Sequence, residues 1–310
     1  AARIATGGML PAGTDSVVMI EHTEAIDEQT IEVYHSVAPG QNRVARDEDA
    51  AAGQTLLSAG TLLRPQEIGA LAACGLTRVP VYRQPVVGII SSGDEVVPVE
   101  KTPSMGQVRD VNSHTLAALV RRAGARAHRF GIVGDRFEDL LAACRRAVSE
   151  CDMVLISGGS SVGTRDLTID VLSKLPQSSV LVHGISMRPG KPTILARCGD
   201  KAFWGLPGHV TSAMVVFMMV VRPFIEHIGG RKAGFQPSLH ARLSRNLASV
   251  QGRIDYVRVR LSEKEGQRWA EPVLGASGLI RTMIAADGLA AIPLNSEGLD
   301  AGTEIEVLLI

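Results

Sequence analysis

Between Pro85 and Gly230 the apolar residues fall into short continuous runs separated by stretches with helical spacing. Residues 153–156 (MVLI) have the length and character of a strand buried on both faces, 86–90 (VVGII) read as another buried strand, and a further strand is expected at 127–133. Between them, Leu116, Leu119 and Val120 mark one face of a helix over 113–123, and Leu140, Leu141, Cys144 and Val148 mark another over 137–149. Strands that alternate with helices predict parallel β-α-β units. A further helix over 167–175, opened by Asp166, leads to a strand at 179–183 and a hairpin of 193–197 with 201–205 around a Cys-Gly-Asp turn. A long apolar helix, 210–228, ends at Gly229 and Gly230; its Met214, Met218 and Met219 read as core filler rather than a cofactor box.

The flanks have a different rhythm. In 1–83, strands are expected at 16–20 (SVVMI) and 30–37 (TIEVYHSV), with a helix at 65–74 that has Pro65 in its first turn. In 231–310, alternation at 255–261 (DYVRVRL) and 304–309 predicts strands, and 275–278 (GASG) a small-residue loop. The pattern therefore predicts a multidomain α/β protein, in which a central open, mostly parallel α/β sheet domain (84–230) is flanked by a β-rich region (1–83) and a C-terminal β domain (231–310). No repeat of 20–50 residues interrupts it.

Composition narrows the class of protein. At 310 residues the chain has the length of two or three domains. Lys plus Arg and Asp plus Glu each total 32, so zero net charge gives no general case for nucleic acid or an anionic membrane. The longest apolar stretch, 213–221, is short of the roughly 20 residues that cross a bilayer. Cys74, Cys144, Cys151 and Cys198 form no CxxC pair, which points to a reducing, cytoplasmic setting. The chain starts at AARIATGG with no initiator Met and no signal segment, and is expected to begin partway into a domain.

Chemistry gathers where the predicted strands end. Ser157, Gly158, Gly159, Ser160, Ser161 and Gly163 form a loop that can bring backbone N–H groups and hydroxyls close to an oxyanion; the competing reading is a tight strand-to-helix turn. Asp94 with Glu95, Asp135 and Asp166 follow three strands in turn, so neighbouring strands would bring them to one crevice, where carboxylates beside phosphate suit Mg²⁺; helix capping competes for each acid singly. Arg188 and Lys191, separated by Pro189 and Gly190, place two cations near one anion. Asp47, Glu48 and Asp49 read as a solvated face, and His183 and His209 as structural. Serine-hydrolase, zinc-protease and P-loop signatures do not occur.

Several stretches together resemble one family. ISGGSSVGTRD at 156–166 is similar to a molybdopterin-binding signature, SSGDE at 91–95 and VRDVNS at 108–113 to its preceding segments, and SMRPGKP at 186–192 and GLPGH at 205–209 to its later motifs. With RIATGGMLPAGTDSVVMIE at 3–21 and RDED at 46–49, the resemblance covers nearly the whole chain and is to the molybdenum insertases of the MoeA type, molybdopterin molybdenumtransferases related to the C-terminal part of gephyrin. An earlier family segment with an aspartate-glycine-aromatic-alanine motif is absent, and His209 and Val210 stand where many members have another residue followed by proline.

The resemblance implies insertion of molybdate into adenylylated molybdopterin with Mg²⁺ present and release of AMP, by a homodimer. Asp94, Glu95, Asp135 and Asp166 would position Mg²⁺ and the pyrophosphate, and the loop at Gly158–Gly163 would cradle phosphate. Arg188, Lys191, Pro207 and Ser277 would lie near molybdate, with Thr6 and Asp49 near the partner subunit's site. The molybdopterin adenylyltransferase and acceptor apo-enzymes are the implied protein partners. The resemblance leaves open whether the anion is molybdate or tungstate. Two other functions compete: the adenylyltransferase itself, which resembles the central domain alone, and a non-catalytic molybdopterin-binding scaffold.

Overall fold

The computed structural model describes residues 1–158, 162–231 and 236–310, with side chains at all of these save 162–166. Two compact units result, 1–77 and 78–310. In the first, β1 (Thr23–Ala25) and β2 (Ile31–Val33) form an antiparallel hairpin, and α1 is Pro65–Ala73. The expected strand at 16–20 is not formed: Ile20–His22 makes a single 3-10 turn instead. Its apolar residues Met19 and Ile20 are exposed, so no buried partner strand rewards an extended backbone there.

The second unit contains the predicted alternation. In chain order come β3 (Val86–Ser92), β4 (Val96–Val97), β5 (Val108–Arg109), α2 (Asn112–Arg122), β6 (Arg126–Val133), α3 (Phe137–Glu150) and β7 (Met153–Gly158). Then follow α4 (Val162–Ser173), β8 (Ser178–His183), β9 (Met187–Arg188), β10 (Ile194–Cys198) and β11 (Lys201–Leu206). The central sheet has the order β6-β3-β7-β11-β10-β8. β6, β3, β7 and β11 run parallel, and β10 is antiparallel to both β11 and β8.

Period-two alternation explains why this sheet is covered on both faces. Val87 and Ile89 of β3, with Met153 and Leu155 of β7, enter one core with α2 and the long apolar helix. Ile90, Val154 and Ile156 enter the other core with α3 and α4. At the lower edge, Asp152 Oδ2 accepts from the Val86 N–H at 2.7 Å, and its carboxylate takes both Arg83 guanidinium nitrogens at 2.6 Å. Those bonds hold the Asp152 carboxyl below its ordinary range.

Helix α5 (Val210–Ile228) joins α-helix Val210–Val216, a π turn at Phe217–Val221 and α-helix Arg222–Ile228. Pro223 has no N–H to bond the preceding turn, and the widened turn accommodates that gap. With 19 residues and a mean hydropathy of 1.4 the helix has the length and composition of a membrane span, but half of that window is buried, and Val216, Phe217, Val221 and Ile225 are core residues. Met214, Met218 and Met219 also pack in the interior, as filler.

The C-terminal strands are β12 (Ser238–Leu243), β13 (Leu247–Ala248), β14 (Ile254–Lys264), β15 (Gln267–Pro272), β16 (Gly288–Ile292), β17 (Gly298–Leu299) and β18 (Glu304–Leu309). β15 pairs with both β12 and β14, so β12, β18, β16, β14 and β15 close on one another around Leu243, Val259, Ala270, Ala290 and Val307. β9, from the middle of the chain, is added to β14 in parallel. All four cysteines are free; burial pushes Cys144 up to about 12 and Cys151 to about 11.

Gly158 marks the tightest approach of β7 to β3. A Cβ there would lie 1.7 Å from Ser92 Oγ and 2.7 Å from Ser92 O. Gly158→Ala is expected to cost about 1–3 kcal/mol, a melting shift of roughly 3–10 °C, read by thermal unfolding. An unchanged melting temperature would refute this close packing.

Candidate functional site

In the central sheet the chain goes from β3 to β6 on one side and from β7 to β8 on the other, so the crevice of an open α/β sheet opens at the carboxyl ends of β3 and β7. Three of the predicted acids meet beside it. Asp94 Oδ1 accepts from the Asp135 N–H at 3.0 Å. Burial first, then the charges of Asp94 and Glu95, push the Asp135 carboxyl up from its ordinary value. Asp135 Oδ1 is shut off from solvent and has no hydrogen-bond partner among the described residues. Two glycines make room: a Cβ at Gly93 would lie 2.6 Å from Glu95 Oε2, and one at Gly134 would lie 2.9 Å from Asp94 Oδ1.

The phosphate-loop expectation falls largely on residues 159–161, so Gly159, Ser160 and Ser161 lie outside the described residues. Two corrections concern its far side. α4 begins at Val162, so Gly163 is in a helix rather than in the loop, and Asp166 lies within that helix instead of opening it. None of the residues from Val162 to Arg165 breaks a helix as proline would, so the helix runs back to Val162. The Asp166 side chain is outside the described residues.

Ser157, 2% exposed, accepts from Asn112 Nδ2 at 2.6 Å, and the same nitrogen donates to the Gly208 carbonyl at 2.7 Å. Asn112 therefore joins the end of β7 to the turn that contains the buried Pro207. Ser277 reaches this region through its carbonyl, which accepts from the Thr211 N–H at 3.0 Å in the first turn of α5. Asp110, 6% exposed, accepts from Ser91 Oγ at 2.8 Å and from the Ser113 N–H at 3.0 Å, so it fixes the start of α2 against β3.

Arg188 and Lys191 have different surroundings. Arg188 Nη1 lies 3.6 Å from Asp255 Oδ2, and the buried Asp255 also takes Arg253 Nε at 2.8 Å. Lys191 is exposed and its side chain has no ion pair among the described residues. Gly190 between them faces α5, where a Cβ would lie 2.5 Å from Val216 Cγ2. Thr6 and Asp49 are exposed residues of the N-terminal unit. Among the described residues no three His, Cys, Asp or Glu side chains gather closely enough to hold a metal ion.

Sequence reasoning placed Ser91, Asp110 and Asn112 in stretches that carry the resemblance but gave none of them, nor Thr211, a role of its own. The signal was an Asp-x-Asn at the start of a helix, where short polar side chains bond backbone groups.

The fold and crevice define an α/β small-molecule-binding domain joined to β domains. Comparison with known proteins makes the class specific. Three family models match: the MoeA N-terminal region (domains I and II) over 1–75, a probable molybdopterin binding domain over 88–227, and the MoeA C-terminal region (domain IV) over 240–310. The molybdopterin molybdenumtransferase of Haemophilus influenzae is 36% identical over 83% of this chain and 64% of its own length. That of Bacillus subtilis is 32% identical over 100% of this chain and 73% of its own. The solved molybdopterin biosynthesis MoeA protein from Pyrococcus horikosii superposes with a TM-score of 0.77 at 35% identity, covering 97% of this chain and 73% of that one. The chain belongs to the MoeA family of molybdopterin molybdenumtransferases.

Asp110→Ala would leave Ser91 Oγ and the Ser113 N–H without their acceptor. The expected loss is about 2–3 kcal/mol, measured by denaturant unfolding, with Asp110→Asn losing less because its amide oxygen still accepts. Equal losses in the two variants would refute the assignment of hydrogen bonding as the cause.

Proposed function

We propose that this enzyme inserts molybdate into adenylylated molybdopterin and releases AMP, using the crevice at the carboxyl ends of β3, β6 and β7. The observation that carries the reading is the meeting of Asp94, Glu95 and Asp135 at this edge, with an Asp135 carboxyl that burial and like charge both oppose ionising. That excess of negative charge calls for a cation, and the unpaired Asp135 Oδ1 gives it an oxygen. Mg²⁺ therefore fits: Asp94 and Asp135, with Asp166 from α4, would hold it, and Glu95 would add charge beside it. When bound, Mg²⁺ neutralises phosphate oxygens.

The remaining tasks fall to the chain's own groups. The Ser157 hydroxyl and the main chain around Gly158 stand at the end of β7, where they can bond an oxyanion. Lys191, which has no ion pair among the described residues, offers its ammonium to the incoming molybdate, which is substrate here. Arg188, steadied by Asp255, offers its remaining guanidinium donors, and Pro207 and Ser277 shape the same approach. Thr6 and Asp49 act at the partner subunit's site in the proposed homodimer. A cytoplasmic setting is part of the same proposal and agrees with four unpaired thiols.

The test is AMP release from adenylylated molybdopterin with Mg²⁺, with and without molybdate. Molybdate-dependent release is expected, reduced on the order of a hundredfold or more in Asp135→Asn and Asp166→Asn with little change in melting temperature. Consumption of ATP and molybdopterin without molybdate dependence would instead indicate adenylyl transfer. Binding without turnover would indicate a scaffold.

A further inference from the structure

Asn112 is the first residue of α2, and three segments converge on it. Its Nδ2 donates to Ser157 Oγ, at the end of β7, and to the Gly208 carbonyl, in the turn before α5. A carbonyl can only accept, so the amide nitrogen must face Gly208, and this settles which end of the carboxamide points which way. The other end, Oδ1, is closed off from solvent and has no hydrogen-bond partner among the described residues.

Buried acceptors are nearly always paired, because an unmade bond forfeits the water it displaced. Thr211 repeats the pattern on the far side of Gly208. Its residue is fully buried and its Oγ1 also has no partner among the described residues, while its main-chain N–H is held by Ser277. Two unpaired polar atoms thus belong to residues that flank one turn at the ligand edge of the sheet. Ser157 Oγ, already accepting from Asn112, keeps its own proton to give.

We propose that Asn112 is a molybdopterin-binding residue: Nδ2 locks the end of β7 to the turn at Gly208, and Oδ1 accepts a hydrogen bond from an N–H of the pterin. The proposal rests on the functional reading above. A pterin carries N–H donors along one edge and acceptors along another, so an amide oxygen beside a hydroxyl proton matches it as a donor-acceptor pair. Asn112 does its work through shape and hydrogen bonding and leaves the charge of the acidic cluster unchanged.

The experiment uses the full chain, molybdopterin as the probe, and Asn112→Ala, Asn112→Asp and a control in the same helix, Leu119→Ala, which loses only packing. Molybdopterin affinity is measured by fluorescence titration, stability by thermal unfolding, and amide hydrogen exchange is followed across 205–211. Asn112→Ala is expected to weaken binding about tenfold or more. Asn112→Asp should weaken it at least as much, since a carboxylate offers Gly208 no donor. Both should speed exchange across 205–211, whereas Leu119→Ala lowers the melting temperature and leaves affinity within about twofold. Binding by Asn112→Ala within about twofold of wild type, or an equal loss in Leu119→Ala, overturns the role of Asn112 alone. A wild-type chain that binds no molybdopterin overturns the ligand together with the functional reading, and unchanged exchange in Asn112→Ala overturns the lock.

Discussion

The parallel pairing of β3 with β7 is the contact on which the rest of the structure depends. It is held at the bottom by Asp152, which bonds Arg83 and the Val86 N–H, and along its length by side chains that alternate into two cores. At the top, Gly158 lets the Ser92 side chain and carbonyl approach closer than any other residue type would allow. Because the chain leaves this pair in opposite directions, the carboxyl ends of β3 and β7 stay open to a ligand while β3 is paired with both β6 and β7 along its length.

Two kinds of polar chemistry then sit along one edge. Towards β6 the groups are acids, crowded enough that burial and mutual repulsion raise Asp135. Towards α5 the groups are neutral: Asn112, Ser157, Gly208 and Thr211. The C-terminal barrel touches this second side twice, through the Ser277 carbonyl on Thr211 and through Asp255 beside Arg188. The pairing of β9 with β14 makes the second contact possible, because it carries part of the RPGK segment out of the central sheet and onto the barrel.

The central domain was legible in the sequence because its signals are local. Short apolar runs gave β3 and β7, the strand expected after the first helix gave β6, and helical spacing gave α2 and α3, each to within a few residues. The hairpin of β10 and β11 followed from Gly199, whose positive φ of 64° a tight turn favours. Ser16–Ile20 has the same β-branched look as those strands, yet it is not a strand, since burial rather than composition decides the matter. The start of α4 at Val162 was missed because Asp166 imitates a cap.

The candidate site was legible in the grouping of three of its acids and not in its scaffold. Asp94, Glu95 and Asp135 stand out because charges after buried strands are conspicuous, and the structure does bring them together. Asn112 and Asp110 make their bonds across 45 and 19 residues of sequence, to Ser157 and Ser91, and no local pattern reports a contact of that range. The same holds for Asp255, 67 residues beyond Arg188 and brought to it only by the β9–β14 register.

The central claim is that the carboxyl ends of β3, β6 and β7 hold the cation and phosphates of the reaction. The most direct measurement is a crystal structure of the full chain with Mn²⁺ in place of Mg²⁺ and AMP present, with the metal located by its anomalous scattering. The account predicts an Mn²⁺ peak within coordination distance of the Asp135 and Asp94 carboxylates and AMP phosphate beside Ser157 and Gly158. Metal and nucleotide ordered elsewhere, with Asp135 untouched, would contradict it.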